Sequence, residues 1–526
     1  MVTCSPPLHA PPAADALPDD LRRWVERSVG RPVTASRRFT RARQAWEVDT
    51  EPAPSAPSAP SASGAAGAAG AAGAAARPGQ QAVDRWLLKG RRVPAAVAAR
   101  SQLLTRFGAA REAAGLQALA GSAVRVPAVG GHDDAAGLLL LERRPGSAQL
   151  HLAPAAQRRT AVVEYAAQLA TLHALRPADL PLGPAVDRPA TARDMVLGGW
   201  LAAAEADAAT ARSRLRHPEP LLDALASWLH HAVPESSSLE RCRLLHGDAG
   251  VANFLVQDGR VTALLDWELT VLGDPASDLG NARFREALYP TGTYGLLIAS
   301  YETETGRPID RPAVGYYTVL AAAVLSLAMV ANVQRPRPSQ PESVVRLWQD
   351  ALARCVAAEA LCEVEGIEPD IAAAPEPSES GLLPAAELLD AWVADAAGSS
   401  ERQDVAAQPW PALASAVARA VALAPAIDRD LLADCRRRLG RSWPSRPAAL
   451  AGLCDELAAA PVSSARWADL LVVLSRDARR RLDALTPLQH AEVWGAASPA
   501  AASASPAGPT GRATLPTFEP TFEPAT

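Results

Sequence analysis

The sequence predicts an α+β chain: a small β-rich lobe, then a larger helical lobe, then a separate mainly α-helical C-terminal domain. Three observations carry this. Short strand-like runs (VTASRRF, AWEVDT, RWLLK, LLLLE) are confined to residues 17–147. Apolar positions at helical spacing dominate from residue 156 to about 364 and again over 382–495. Segments rich in Pro, Ala, Ser and Gly punctuate the chain at 51–80, 363–381 and 496–526. At 526 residues there is room for two or three domains.

In the first lobe (17–147), LPDDLRRWVERSVG has the pattern of a short helix, and VTASRRFTRARQAWEVDT is extended. Residues 51–80 (EPAPSAPSAPSASGAAGAAGAAGAAARPGQ) cannot build a core and form an insert. The strand-like VDRWLLKG follows, so the simplest topology is a β-hairpin whose loop the insert lengthens, at little entropic cost. A helix is expected over Val97–Ala120, with strands at Val124–Val129 and Leu138–Glu142. The second lobe (148–362) opens on a strongly periodic helix at 156–175; more helices run to about Glu240 and from Ala276 to Val364. Residues 363–381 form a linker, 382–495 the helical domain, and 496–526, ending in PTFEPTFEP, a disordered tail.

A net charge of −5 with interspersed signs gives no electrostatic case for a nucleic-acid partner. The six cysteines show no CxxC pair or metal-ligand spacing, which fits free thiols in a reducing cytoplasm. The proline-rich N-terminus lacks the apolar core of a signal peptide. Ala313–Gln334 is uncharged and long enough to cross a bilayer, but its Ala, Ser and Thr content and its isolation fit a buried helix, with no membrane partner.

The chemistry concentrates in residues 244–267, LLHGDAGVANFLVQDGRVTALLDW. Phosphoryl transfer from a Mg-nucleotide needs a carboxylate beside the acceptor hydroxyl and oxygen ligands that hold Mg²⁺ against the phosphates. Asp248, Asn253 five residues on, and Asp266 supply that set. Asp248 takes the role of base, and Asn253 and Asp266 those of metal ligands. The Asp258-Gly259 pair signals a tight hairpin that returns Asp266 toward Asn253. His246 fits an anchor of the loop better than a chemical group.

The run HGDAGVANFLV…ALLDWELTVLGDPASDLG resembles the aminoglycoside phosphotransferase and choline-kinase-like superfamily, whose fold is that of protein kinases. DWELTVLGDPASDLG is most similar to phosphotransferase domains related to those fused to acyl-CoA dehydrogenases. The resemblance spans roughly residues 17–360. It implies a two-lobed kinase-like fold, ATP and Mg²⁺ as cofactors, Asp248 as catalytic base, and Asn253 and Asp266 as metal ligands. It also implies that Asp278 ties down the catalytic-loop backbone, that Lys89 contacts the nucleotide phosphates with Glu112 as its ion-pair partner, and that the backbone around Glu142 and Arg143 receives an adenine. The nucleotide lid departs from the family pattern: RFTRARQAWEV has no glycine, and Arg41, Arg43 and Gln44 stand where backbone amides would approach phosphates.

The expected activity is transfer of the γ-phosphate to a hydroxyl of a small molecule, with a hydroxyacyl-CoA-like metabolite favoured by the dehydrogenase-fused relatives. Two alternatives stand beside it: an aminoglycoside-type antibiotic kinase, and a catalytically silent nucleotide-binding scaffold. Glu205, Asp207, Glu286, Glu302 and Glu304 are matched by Arg193, Arg212, Arg214, Arg216, Arg283 and Arg285, a mixture that does not point to a polycationic ligand. A homodimer, or an acyl-CoA dehydrogenase partner, would engage the C-terminal helical domain.

Overall fold

The computed structural model describes residues 17–39, 45–52, 84–90, 101–106, 108–334, 342–368, 410–485 and 515–518. The first lobe is a five-stranded antiparallel sheet of β1 (Val33–Phe39), β2 (Ala45–Thr50), β3 (Arg85–Lys89), β4 (Val129–Asp133) and β5 (Leu138–Glu142), in the order β1-β2-β3-β5-β4. Pairing of Ala45 with Lys89 through Asp49 with Arg85 makes β2 and β3 a hairpin, so the 51–80 insert lies within its connection.

Side chains alternate across such a sheet, and here the alternation separates two cores. Trp46, Val48, Trp86, Leu88, Leu138 and Leu140 form one apolar face, closed by Leu17 and by Val25 of helix α1 (Asp19–Val29). Each fully buried large side chain there contributes about 1.5–3 kcal/mol. The opposite face carries Leu139 and Leu141, which join the main core with Ala113 and Leu116 of α2 (Ala109–Ala118). Lys89 pairs with Leu139 and therefore looks toward the second lobe.

Two sequence expectations shift in this lobe. Among the described residues, the helix expected over Val97–Ala120 appears as a 3-10 turn at Leu104–Arg106 and a helix at Ala109–Ala118: Gly108 is extended, and Asp134 Oδ1 accepts the Ala110 amide at 3.2 Å; residues 91–100 lie outside the described set. The strand expected at Val124–Val129 instead begins at Val129. Arg125 is held by the second lobe, its carbonyl accepting from Leu264 N (2.8 Å) and its amide donating to Gln168 Oε1 (2.7 Å), and Pro127 has no N–H to offer a ladder. β4 reads VGGHD because a Cβ on Gly130 would come within 2.6 Å of the Trp86 ring.

The second lobe contains α3 (Ala155–Ala174), α4 (Ala192–Leu197), α5 (Trp200–Ala211), α6 (Pro220–His231), α7 (Pro275–Leu288), α8 (Tyr294–Thr305), α9 (Arg311–Gln334) and α10 (Glu342–Val364). Four short strands stand between α6 and α7 as two antiparallel pairs. β6 (Arg243–Leu245) pairs with β9 (Val271–Gly273), and β7 (Phe254–Gln257) with β8 (Arg260–Leu264). The uncharged stretch forms α9 and is a core helix. Val314, Thr318, Val319, Ala322 and Ala323 are fully buried, and Tyr316 Oη donates to the Leu229 carbonyl at 2.7 Å.

The C-terminal region contributes α11 (Trp410–Asp434), a π-turn at Cys435–Leu439, α12 (Arg446–Ala459) and α13 (Ala465–Ala484). These helices share the second lobe's core: Leu453, Trp467, Leu470 and Leu474 belong to the same apolar cluster as Trp228 and Leu352. A buried Arg479–Glu359 pair (Nε to Oε1, 2.9 Å) ties α13 to α10. The expected tail is described only at residues 515–518. Leu515 and Phe518 pack against this same core.

Candidate active site

The loop from His246 to Asn253 leaves β6, and its shape is imposed from two sides. Asp278, in the first turn of α7 and fully buried, accepts the His246 amide (2.8 Å) and the Gly247 amide (2.9 Å). Its carboxylate also takes His173 Nε2 at 3.1 Å. On the far side the Gly250 amide donates to Tyr165 Oη at 2.7 Å. His246 Nε2 donates to the Leu265 carbonyl (2.7 Å), while its Nδ1 accepts the Asp248 amide (3.2 Å). Those partners require a neutral ring with its proton on Nε2, and burial holds the His246 pKa below its ordinary value. His246 thus fastens the loop to the segment before Asp266.

Asp248 sits half-buried at the centre of a polar cage. Arg285 Nη1 reaches both carboxylate oxygens (2.9 and 3.0 Å), Asn253 Nδ2 donates to Oδ2 (2.7 Å) and Asn281 Nδ2 to Oδ1 (3.2 Å). Burial works to raise the carboxyl, but the Arg285 charge and the two amides outweigh it, so the Asp248 pKa lies below the usual carboxylate value. Arg285 also bonds the Val251 carbonyl (2.9 Å) and Asn253 Oδ1 (3.2 Å). Its approach depends on Gly250: at φ +138°, a Cβ there would stand 2.8 Å from Arg285 Cβ. Neither Asn281 nor Arg285 was legible as part of the site. Their one signal is the four-residue spacing, which puts both on one face of α7, and many surface pairs share that spacing.

Lys89 joins the lobes. Its Nζ bonds Glu112 Oε1 and Oε2 (2.7 and 2.9 Å) and, across the cleft, Asp266 Oδ1 (2.8 Å). Burial pushes the Glu112 carboxyl up, against the pull of the Lys89 ammonium. Asp266 adopts a left-handed backbone (φ +57°, ψ +60°), a conformation that costs a non-glycine residue about 1–3 kcal/mol and persists where surroundings impose it. The hairpin before it turns at Asp258 and Gly259, both at positive φ. The Leu265 amide then donates to the Asn253 carbonyl at 2.8 Å, which sets Asp266 beside Asn253.

Those two side chains fit a hard, oxygen-seeking cation. Asp266 is 43% exposed toward the cleft, and Asn253 brings an amide oxygen whose contact to Arg285 is long, at 3.2 Å. Among the described residues no cluster of three His, Cys, Asp or Glu could hold a metal.

The interlobe segment is anchored through its own backbone. The Glu142 amide donates to the Ala128 carbonyl (2.8 Å) and the Arg143 amide to the Arg85 carbonyl (2.9 Å), so neither N–H is available to a purine. Their side chains are engaged too: Glu142 bonds Arg144 (2.9 Å), and Arg143 reaches Glu47 on β2 (3.1 Å), itself paired with Arg37. The lid residues Arg41, Arg43 and Gln44 lie outside the described residues.

The site thus combines a β-rich lobe and a helical lobe, a lysine bridging them to Asp266, and a caged aspartate, Asp248. Residues 74–314 match the family model described as the APH phosphotransferase enzyme family. Acyl-CoA dehydrogenase family member 11 from Rattus norvegicus is 44% identical over 64 residues, and the human protein 39%. The matched stretch is 12% of this chain but only 8% of the length of those relatives. Among solved structures, a thermostable aminoglycoside phosphotransferase APH(4)-Ia bound to ADP and hygromycin B is 13% identical, with TM-score 0.43, covering 65% of this chain and 98% of that one. Choline kinase LicA from Streptococcus pneumoniae is 13% identical, with TM-score 0.40, covering 64% and 99%.

Proposed function

We propose that the protein transfers the γ-phosphate of ATP, as its Mg²⁺ complex, to a hydroxyl of a small anionic or neutral metabolite, with a hydroxyacyl-CoA-like acceptor first in rank. The observation that carries the reading is Lys89, which bonds Glu112 and Asp266 at once, across 177 residues of sequence. A lysine anchored behind and aimed at the metal-side aspartate is placed to neutralise phosphate oxygens. A scaffold that had lost catalysis would have no need of this three-way contact together with an ionised Asp248.

Mg²⁺ bound by Asn253 and Asp266 would draw charge from the transferring phosphoryl group. Asp248 orients the acceptor hydroxyl and takes its proton as the oxygen bonds to phosphorus. Because Arg285 keeps this carboxylate ionised, it is a weak base in bulk terms. Its main work is to align the hydroxyl, and the proton leaves late in a dissociative transfer.

The ranking of acceptors is supported by how the acids of the second lobe are used. An aminoglycoside is a polycation and needs unspent carboxylates. Here Glu205 bonds His230 (3.0 Å), Asp207 caps Gln102 N (2.6 Å), and Glu286 is buried, accepting Thr291 N (2.7 Å) and Gly292 N (2.6 Å). Arg285 adds positive charge beside the base instead. The local similarity to acyl-CoA dehydrogenase family member 11 supports an acyl-CoA-linked acceptor, and a dehydrogenase partner is part of the same proposal. A cytoplasmic location is proposed from the cysteines: Cys242, Cys355, Cys362 and Cys435 are free and buried.

The test is a phosphate-transfer screen with Mg-ATP against hydroxyacyl-CoAs, sugars, aminocyclitols and amino alcohols, run with wild type and Asp248→Asn. Transfer to a hydroxyacyl-CoA that Asp248→Asn abolishes is the expected result. Transfer confined to aminocyclitols would reverse the substrate ranking, and none to any acceptor would leave the scaffold reading in its place.

A further inference from the structure

Helix α7 is used on two sides. Asn281 and Arg285 face the catalytic loop, whereas Arg283, about 200° around the helix from Arg285, faces the C-terminal segment. Arg283 is buried, at 2% exposure. Its Nε donates to the Pro516 carbonyl (2.7 Å), its Nη2 pairs with Glu363 of α10 (2.8 Å), and its guanidinium lies 4.3 Å from the centre of the Phe518 ring. Arg311 approaches the same ring from α9 (5.6 Å), and Tyr294 of α8 completes the wall at 6.0 Å between ring centres. Leu515 packs against the main core. A buried guanidinium needs acceptors and a face to stack on, and the C-terminal segment supplies one of each.

The sequence of that segment is LPTFEPTFEP, in which Pro-Thr-Phe-Glu occurs twice with a period of four. We propose that the Arg283 surface is a recognition site for a Leu-Pro-Thr-Phe peptide, filled in cis by residues 515–518. Proline at the first position favours the extended backbone that presents its carbonyl to Nε, and phenylalanine two residues on supplies the ring. The second copy of the motif is preceded by Glu519 where the first is preceded by Leu515, so a peptide built on it lacks the apolar contact. The first copy is therefore the better ligand. The phosphotransferase reading plays no part in this site.

The experiment uses full-length protein carrying Phe518→Ala and Phe522→Ala, which empties the site without shortening the chain, and a fluorescein-labelled ATLPTFE peptide followed by anisotropy. Saturable binding to this double variant is expected, with apparent affinity at least tenfold weaker for wild type, where the tethered copy competes. An EPTFEP peptide should bind less tightly than ATLPTFE, and ATLPTAE should not bind. Adding Arg283→Lys, which keeps the charge but loses the planar fork, should weaken binding; should that protein not fold, the ATLPTAE control carries the same information. Absence of binding to the double variant, equal binding to wild type, or equal binding of a scrambled peptide would overturn the proposal. Wild type should run as a monomer in size-exclusion chromatography. A dimer that Phe518→Ala dissociates would assign the docked segment to a second copy and overturn the cis placement.

Discussion

The two aspartates of the site, Asp248 and Asp266, are set in opposite ways. Asp248 is enclosed by one guanidinium and two side-chain amides. Asp266 holds a lysine from the other lobe, stands 43% exposed and bends its backbone into a left-handed conformation. The base side is pre-organised within one lobe and charge-balanced before anything binds. The metal side depends on two lobes meeting and keeps its carboxylate open to the cleft. On the proposed roles, orientation of the hydroxyl is built in, whereas the charge-neutralising half is assembled, and the two halves should fail in different ways.

The largest effect is expected on the pre-organised side. Asp248→Ala should cost on the order of 10²–10⁴ in kcat, with little change in the protection Mg-ATP gives in a thermal-shift titration. If the variant loses nucleotide binding and rate together, Asp248 belongs to the metal side and the contrast collapses.

The assembled side should show its weakness as stability. Lys89 and Glu112 are both buried, with side chains 9% and 4% exposed. Lys89→Ala strands a carboxylate and should destabilise the protein by about 3–5 kcal/mol, as removal of one partner of a buried pair does. Lys89→Met with Glu112→Leu should recover most of that in denaturant melts, yet leave kcat/KM down by about 10- to 100-fold for want of one charge-assisted contact to phosphate. Recovery of both properties would make the pair purely structural.

These halves also differed in how legible they were. The base side was nearly complete in 244–280, because a loop between short strands and the following helix keeps its partners close in sequence: Asp248, Asn253, His246 and Asp278 all fall there. Arg285 escaped because its role depends on how closely α7 approaches Gly250, which no local pattern records. On the other side, Lys89 and Glu112 could be placed only by resemblance to a family, since the contact that unites them with Asp266 spans 177 residues. The backbone around Glu142 and Arg143 was expected to receive an adenine, and what the sequence did not show is that both amides are already paired. A strand-end residue looks open until the pairing of its neighbours, here Ala128 and Arg85, is known. Within the expected tail, Leu515–Phe518 dock beside a buried arginine, a contact that composition does not record.

A smaller effect separates Arg285 from Asp248 itself. The carboxyl lies below its ordinary value because the Arg285 charge overcomes burial. Wild-type kcat/KM should therefore be insensitive to this group from neutral pH down into the carboxylate range. Arg285→Gln removes the opposing charge and leaves burial to act, so the acid limb of the profile should move to higher pH, with activity partly retained at pH 8. An unmoved acid limb would mean that Arg285 holds the loop in shape and does not set its protonation.

The smallest expected effect concerns His246, which belongs to the base side without doing chemistry. Its ring is buried and neutral, and its folded-state pKa is depressed below 6.5 by that burial. The unfolded chain takes up a proton that the folded loop refuses. Stability from this residue is therefore fully present above the unfolded value and is lost as pH falls below it toward the folded value, at up to about 1.4 kcal/mol per pH unit for one proton. Urea unfolding of wild type and His246→Gln at pH 7.5 and 5.5 should show the wild type losing more on acidification. The glutamine variant should be weaker at pH 7.5 through loss of the bond to Leu265, but flatter with pH. Equal pH slopes would show that the ring accepts its proton without releasing the Asp248 amide, and the loop would then be less rigidly pre-organised than its hydrogen bonds suggest.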